Sequence, residues 1–140
     1  IIWPFSDNMI SDNSINNNSL VCKLNYKNYS MLFTGDIEAI AEKAILKKYS
    51  KNLNILKSDI LKVAHHGSKT SSITEFIEKI KPKYAIIGVG EDNKFWHPSE
   101  NTIQNLEKAN IRINRTDKMG EIEIKTNGKE IKINEFLKCK

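Results

Sequence analysis

Apolar and polar positions repeat along this chain with two different periods. Leu20-Val21-Cys22-Lys23-Leu24 and Met31-Leu32-Phe33 are short apolar runs on either side of a polar turn near Lys27-Asn28. That pattern predicts a β-hairpin. The second run ends abruptly at Thr34-Gly35-Asp36, and the period then lengthens. Ile37, Ile40, Ala41, Ala44 and Ile45 recur at helical spacing, predicting a helix with one apolar stripe. Lys47, Lys48 and Lys51 lie near its C-terminal end, where the helix dipole favours cations. A loop over 50–58 leads to Ile60-Leu61-Lys62-Val63-Ala64, read as a buried strand that runs straight into His65-His66-Gly67-Ser68.

Ser72-Ile73-Thr74-Glu75 has the form of a capping box and predicts a helix carrying Phe76, Ile77 and Ile80, stopped at Pro82. Tyr84–Val89 reads as another buried strand, and residues 90–97 as a loop ending in Trp96-His97-Pro98. A helix is expected from about Ser99, using Ile103, Leu106 and Ala109. Strands are expected over Ile111–Arg115, Ile122–Thr126 and Glu130–Ile133, with Asn127-Gly128 signalling a type I′ hairpin turn. The order β-β-α-β-α-β-α-β-β-β predicts an α/β layered domain. Residues 1–18 read as a loop-rich start, polar over 6–18, and residues 134–140 as a tail.

Length and composition fit one such domain. The chain has 140 residues, 39% hydrophobic and 28% charged, which suits a folded protein and excludes long disorder. No run of 18 apolar residues exists and no signal-peptide pattern opens the chain. Its apolar start, Ile1-Ile2-Trp3-Pro4-Phe5, reads as the interior of a longer polypeptide. The net charge of +5 permits binding to phosphate backbones. No dense Lys/Arg block stands out, and the abundance of Lys, Asn and Ile is also what an AT-rich coding sequence would give. Cys22 and Cys139 form no CxxC pair; Cys22 reads as a buried free thiol.

Candidate chemistry concentrates at strand ends. The only histidines are His65, His66 and His97, and none falls within a periodic face. Asp36 directly follows a strand, and Gly35 before it would let the chain turn sharply. In layered α/β folds sites form beyond strand ends, so Asp36, His65 and His66 could converge there. Carboxylate oxygen and imidazole nitrogen suit a divalent transition metal. The plainer reading of Asp36 is a helix N-cap, and Asp117 reads as a turn residue. The residues Gly67 and Ser68 open a helix entrance suited to an anion. No Walker loop, GxGxxG or GxSxG elbow is present.

Asn17-Asn18-Ser19-Leu20-Val21, Leu32-Phe33-Thr34-Gly35-Asp36 and Leu61-Lys62-Val63-Ala64-His65-His66-Gly67-Ser68 follow one another as in metallo-β-lactamase-fold hydrolases. With Asn93–Ser99 and Arg115–Gly120, the chain most resembles the C-terminal domain of ComEC-type DNA uptake channels, over about residues 2–133. The resemblance implies the C-terminal half of an αββα sandwich, with residues 1–140 forming one partial domain. It implies that Asp36 bridges metals, zinc or manganese, and that one of His65 and His66 is a ligand, with His66 favoured, while the other faces substrate. His97 would contact the phosphate or protonate the leaving group, and Gly67 and Ser68 would line the substrate. The implied activity is phosphodiester hydrolysis of DNA by a metal-activated water, on the extracytoplasmic face of a bacterial membrane and within a larger channel protein.

The chain departs from that family in two places. The principal ligand motif HxHxDH is absent, since no histidine precedes His65, and the third metal-histidine position falls on asparagine near Asn16–Asn18. Alternatives are a hydrolase of another small phosphodiester, soluble in the cytoplasm or secreted, and a metal-free half-domain that binds DNA or serves a structural role. A half sandwich would also leave one sheet face bare, from which self-association into oligomers is expected.

Overall fold

The structure is a computed structural model and describes residues 1–6 and 9–136. Seven strands form: β1 Cys22–Tyr26, β2 Tyr29–Phe33, β3 Ile60–Lys62, β4 Tyr84–Ile87, β5 Arg112–Arg115, β6 Glu121–Thr126 and β7 Ile131–Phe136. Helices are α1 Ser14–Asn17, α2 Ala39–Lys48, α3 Thr74–Ile80, α4 Glu100–Lys108 and α5 Thr116–Met119. Strands β1 to β5 make one sheet in sequence order, and β6 and β7 make a separate ribbon. The β1–β2 pair is antiparallel, while β2, β3, β4 and β5 run parallel. The chain is therefore α/β, as the alternation of periods predicts.

Strand periodicity sorts the side chains. Leu32, Leu61, Ala85 and Ile113 lie in one row of the register across β2 to β5. They pack with Ile37 just before α2, Ala41 and Ile45 of α2, Phe76, Ile77 and Ile80 of α3, and Leu106 of α4. Burying each large apolar side chain stabilises by about 1.5–3 kcal/mol, so this sheet–helix layer holds the fold. On the opposite face Met31 and Ile60 meet Ile124 and Ile131 of the ribbon. The bare face expected from the sequence is thus absent among the described residues, because the ribbon spans it. Glu135 binds Asn114 of β5, and Tyr29 and Lys27 donate to the carbonyls of Lys129 and Asn127 at the other end. A groove of about 750 Å³ remains between β1 and the ribbon, lined in part by Leu24, Tyr26 and Ile124.

Several local expectations are corrected. Ile40 lies on the exposed side of α2, 45% accessible, because the buried stripe follows Ile37, Ala41 and Ile45. Ser72 does not cap α3: the N-cap is Ile73, and no side chain of the helix's own start bonds it. Glu42 of α2 does so instead, accepting the N–H groups of Ser72 and Ile73 at 2.7 and 2.9 Å. The Asn127-Gly128 turn joins β6 to β7 through residues 127–130, not a two-residue type I′ loop, since Thr126 pairs with Ile131. There the Asn127 side chain accepts two backbone N–H groups, from Lys129 and Glu130. One turn of helix, α1, interrupts the polar start, and residues 134–136 continue β7. Cys22 is a free thiol but only half-buried, and Cys139 lies outside the described residues.

Candidate active site

Three neighbouring parallel strands, β2, β3 and β4, end at one edge of the sheet. Asp36 follows β2, His65 and His66 follow β3, and His97 lies in the loop after β4. The topology brings all four sequence-predicted residues to that edge. Asp36 is not the helix cap: Glu38 occupies that position in α2. Its backbone is set instead by the Ser19 hydroxyl, which accepts the Asp36 N–H at 2.8 Å. Gly35 is required there, with φ +53° and a Cβ position only 2.6 Å from the Ser19 Oγ.

His65 and His66 both adopt left-handed backbone, φ 46° and 54°, followed by Gly67 at φ 83°. For a residue with a Cβ that conformation costs roughly 1–2 kcal/mol, and such strain is characteristically stored at functional sites. Here the surroundings hold it. The His65 N–H donates to the Gly35 carbonyl, the Ser68 N–H to the His65 carbonyl, and the Ser71 hydroxyl to the Ala64 carbonyl. The kink aims the two imidazoles differently.

The His66 Nδ1 lies 2.6 Å from the Gly88 carbonyl, so it carries the proton and donates it. The other ring nitrogen, Nε2, then faces the Asp36 carboxylate, 3.9 Å from its Oδ1. A ring nitrogen donating to a carbonyl while its partner nitrogen faces a carboxylate is the arrangement of a metal-ligating histidine. Asp36 and His66 thus fit two positions of a metal shell. No group of three or more His, Cys, Asp or Glu residues suited to a metal occurs among the described residues. The full ligand set that a closed site requires is not supplied by these residues alone.

His65 turns the other way. Its Nδ1 is buried without a hydrogen-bond partner and lies 3.7 Å from the Glu38 carboxylate, too far for a hydrogen bond. Its ring meets the His97 ring edge-on at 5.8 Å between centroids. Burial lowers the His97 pKa below its ordinary value, and the neighbouring His65 and His66 lower it further. Gly67 is buried beneath this loop; a Cβ there would sit 2.5 Å from the Pro98 Cβ. Ser68 is buried, its hydroxyl 3.0 Å from that of Thr70 and its carbonyl accepting the Thr102 hydroxyl. Asp117 lies in α5, bound by the Arg115 guanidinium, which holds its carboxyl below the usual range.

Two residues of the site escape the reading of the sequence. Lys62 ends β3 and donates to the Val63 carbonyl; burial lowers its pKa and the nearby Asp36 charge opposes that shift. A lysine inside an otherwise apolar strand was the available signal. The second is Glu38. Burial would raise its pKa, but bonds from Thr70, Asn13 and Asn17 and the neighbouring His65 outweigh this, and it is held below its ordinary value. Asn17, within the Asn16–Asn18 stretch where the resemblance places a metal histidine of the family, is fully buried. It accepts the Glu38 N–H and donates to the Glu38 carboxylate, so it organises the second residue after Asp36.

No family model matches the chain. It is 40% identical over 110 residues to ComE operon protein 3 of Bacillus subtilis, covering 79% of this chain and 14% of that protein. It is 35% identical over 109 residues to competence protein ComA of Neisseria gonorrhoeae, covering 77% and 15%. Recombination protein 2 of Haemophilus influenzae is 29% identical over 109 residues, 78% of this chain and 13% of that protein. The chain is thus similar to competence proteins and spans about a seventh of the length of the curated relatives it matches. No helix among the described residues is long and apolar enough to cross a membrane.

Proposed function

We propose that this chain is the C-terminal portion of a metal-dependent phosphodiesterase of the metallo-β-lactamase fold, acting on DNA during uptake in bacterial competence. The observation that carries the reading is the Asp36–His66 pair, with His66 locked by Gly88 so that its free nitrogen faces the carboxylate. The similarity to competence proteins supports the biological setting. Asp36 and His66 would hold a zinc or manganese ion together with donors from outside these residues. Such an ion, when bound, lowers the pKa of a coordinated water and stabilises charge on phosphoryl oxygens. His65 and His97 would flank a phosphate held beside that pair, and the strained turn at 65–67 fixes the backbone of His65 in advance of substrate. As part of the same reading, the chain belongs to a larger membrane protein and works at its extracytoplasmic face.

A second reading is a metal-free half-domain that binds DNA or supports the rest of the protein. It is favoured by the lack of a third metal donor among the described residues. The test loads the purified chain with zinc or manganese, counts the ions retained, and assays DNA and a chromogenic phosphodiester. Retained metal that is lost in Asp36→Asn, with cleavage of DNA, supports the first reading. Cleavage of the small phosphodiester alone points to another substrate. No retained metal and no cleavage overturns the enzymatic reading for these residues and leaves the second.

A further inference from the structure

We propose that Phe95 and Trp96 form a stacking platform for unpaired nucleobases, which makes a single-stranded stretch of DNA the ligand at this edge of the sheet. The inference rests on the reading of DNA as the substrate and names the form of DNA that the site takes.

Phe95 and Trp96 are 75% and 89% exposed, whereas the other tryptophan, Trp3, is 1% exposed. Single exposed apolar residues are ordinary, but this adjacent pair is held in place. The Asn93 side chain donates to the carbonyls of Gly90 and His97 and accepts the His97 N–H, which closes the loop on itself. Inside that closure Trp96 adopts φ 57°, a left-handed conformation for a bulky residue. The loop backbone is therefore set before binding and the Phe95 ring is held against His97, which removes part of the entropic cost of association.

The platform is continuous with the histidine cluster. The Phe95 ring stacks on His97, 5.8 Å between centroids at an interplanar angle of 21°, and His97 in turn meets His65. A base lying on the outer side of Phe95 would extend this stack and bring its own backbone beside the imidazoles. Only an unpaired strand can do so, because a duplex covers the faces of its bases with their neighbours. Glu91, Asp92 and Lys94 flank the rings. What favours an unpaired base as the occupant is the stack of Phe95 on His97, which leads directly to the candidate phosphate site. The same acidic residues mean that stacking, not phosphate neutralisation, carries the contact.

The experiment titrates the chain, with a chelator present to prevent cleavage, using a mixed-sequence single-stranded oligonucleotide and the duplex made from it. Trp96 is the exposed fluorophore, so its red-shifted emission reports the contact. The expected result is quenching by the single strand. Read by the anisotropy of a dye-labelled oligonucleotide, Trp96→Ala and Phe95→Ala should each weaken single-strand binding about tenfold and leave duplex binding unchanged. That loss should be the same at low and high salt, because no counterions are released by stacking. An unaltered urea midpoint shows that the variants are folded.

Absence of quenching, an equal loss for duplex, or shielding of Trp96 by self-association would each overturn the platform. If the variants bind normally while the wild-type chain cleaves DNA, the platform falls and the nuclease reading stands. If quenching and the tenfold losses occur while the metal-loaded chain cleaves nothing, the platform stands and the nuclease reading falls.

Discussion

The carboxylate of Glu42 on α2 accepts the Ser72 N–H at 2.7 Å, so a fully buried acid ties the second helix to the loop that carries His65 and His66. Ser72 is itself held at φ 62°, and the adjacent Ile73 N–H completes the cap at 2.9 Å. The site's loop is thus clamped from behind by a residue that touches none of the candidate catalytic groups.

Burial pushes the Glu42 pKa up to about 7, against the bonds from Ile73 and Ser72, which lower it. The folded state then keeps a proton that the unfolded state releases from about pH 4.5 upward. Folding stability should fall as pH rises from about 4.5 to 7 and level off above, by roughly 3 kcal/mol from this group. Glu42→Gln should remove that slope. It should also cost about 1–3 kcal/mol, because its amide nitrogen cannot accept one of the two N–H groups. Urea unfolding of both proteins at pH 5 and pH 8 checks this; an unchanged difference between the two pH values in the variant would refute it.

Gly67→Ala should destabilise by about 2–4 kcal/mol, since the new Cβ combines left-handed strain with overlap on Pro98. The urea midpoint measures it. A loss below ~1 kcal/mol would mean that the His97-Pro98 loop can move away at little cost.

At His66, glycine and alanine should part company. Both remove the bond to Gly88, but only glycine relieves φ 54°. His66→Gly should exceed His66→Ala in stability by roughly 1 kcal/mol, the left-handed relief less the added chain entropy. Equal stabilities would show that the turn relaxes once the ring is gone.

Should the Asp36–His66 pair hold a metal, Asp36→Asn and His66→Ala should each lower affinity for zinc at least tenfold. Gly88 offers only its carbonyl, so substitutions there should be milder. Competition against a chromogenic chelator reads the difference. Wild-type affinity in both variants would remove the metal from the proposal.

Much of the fold was legible because it rests on periods. The helical spacing over 37–45, the apolar runs at 60–64 and 84–89 and the Ser99 helix start are local patterns, and each formed the expected element, the two strands over 60–62 and 84–87. The same local reading erred where a neighbour's chemistry replaced it. Ser72 looked like a cap, but the cap came from Glu42, thirty residues away. Ile40 looked like core, but a stripe read from spacing alone has no knowledge of which side the sheet lies on.

The site divides the same way. The sequence by itself determined that Asp36, His65, His66 and His97 stand at strand ends, since strand and turn signals are carried by adjacent residues. Only the tertiary structure decided that His66 faces Asp36 while His65 faces Glu38 and His97. Two successive left-handed residues set that division, and their φ values are held by bonds to Gly35 and Gly88 from two other segments and by the turn's own Ser68. Lys62 and Glu38 joined the site for the same reason: a side chain's electrostatic neighbours are fixed by packing across the sheet, which no run of adjacent residues encodes.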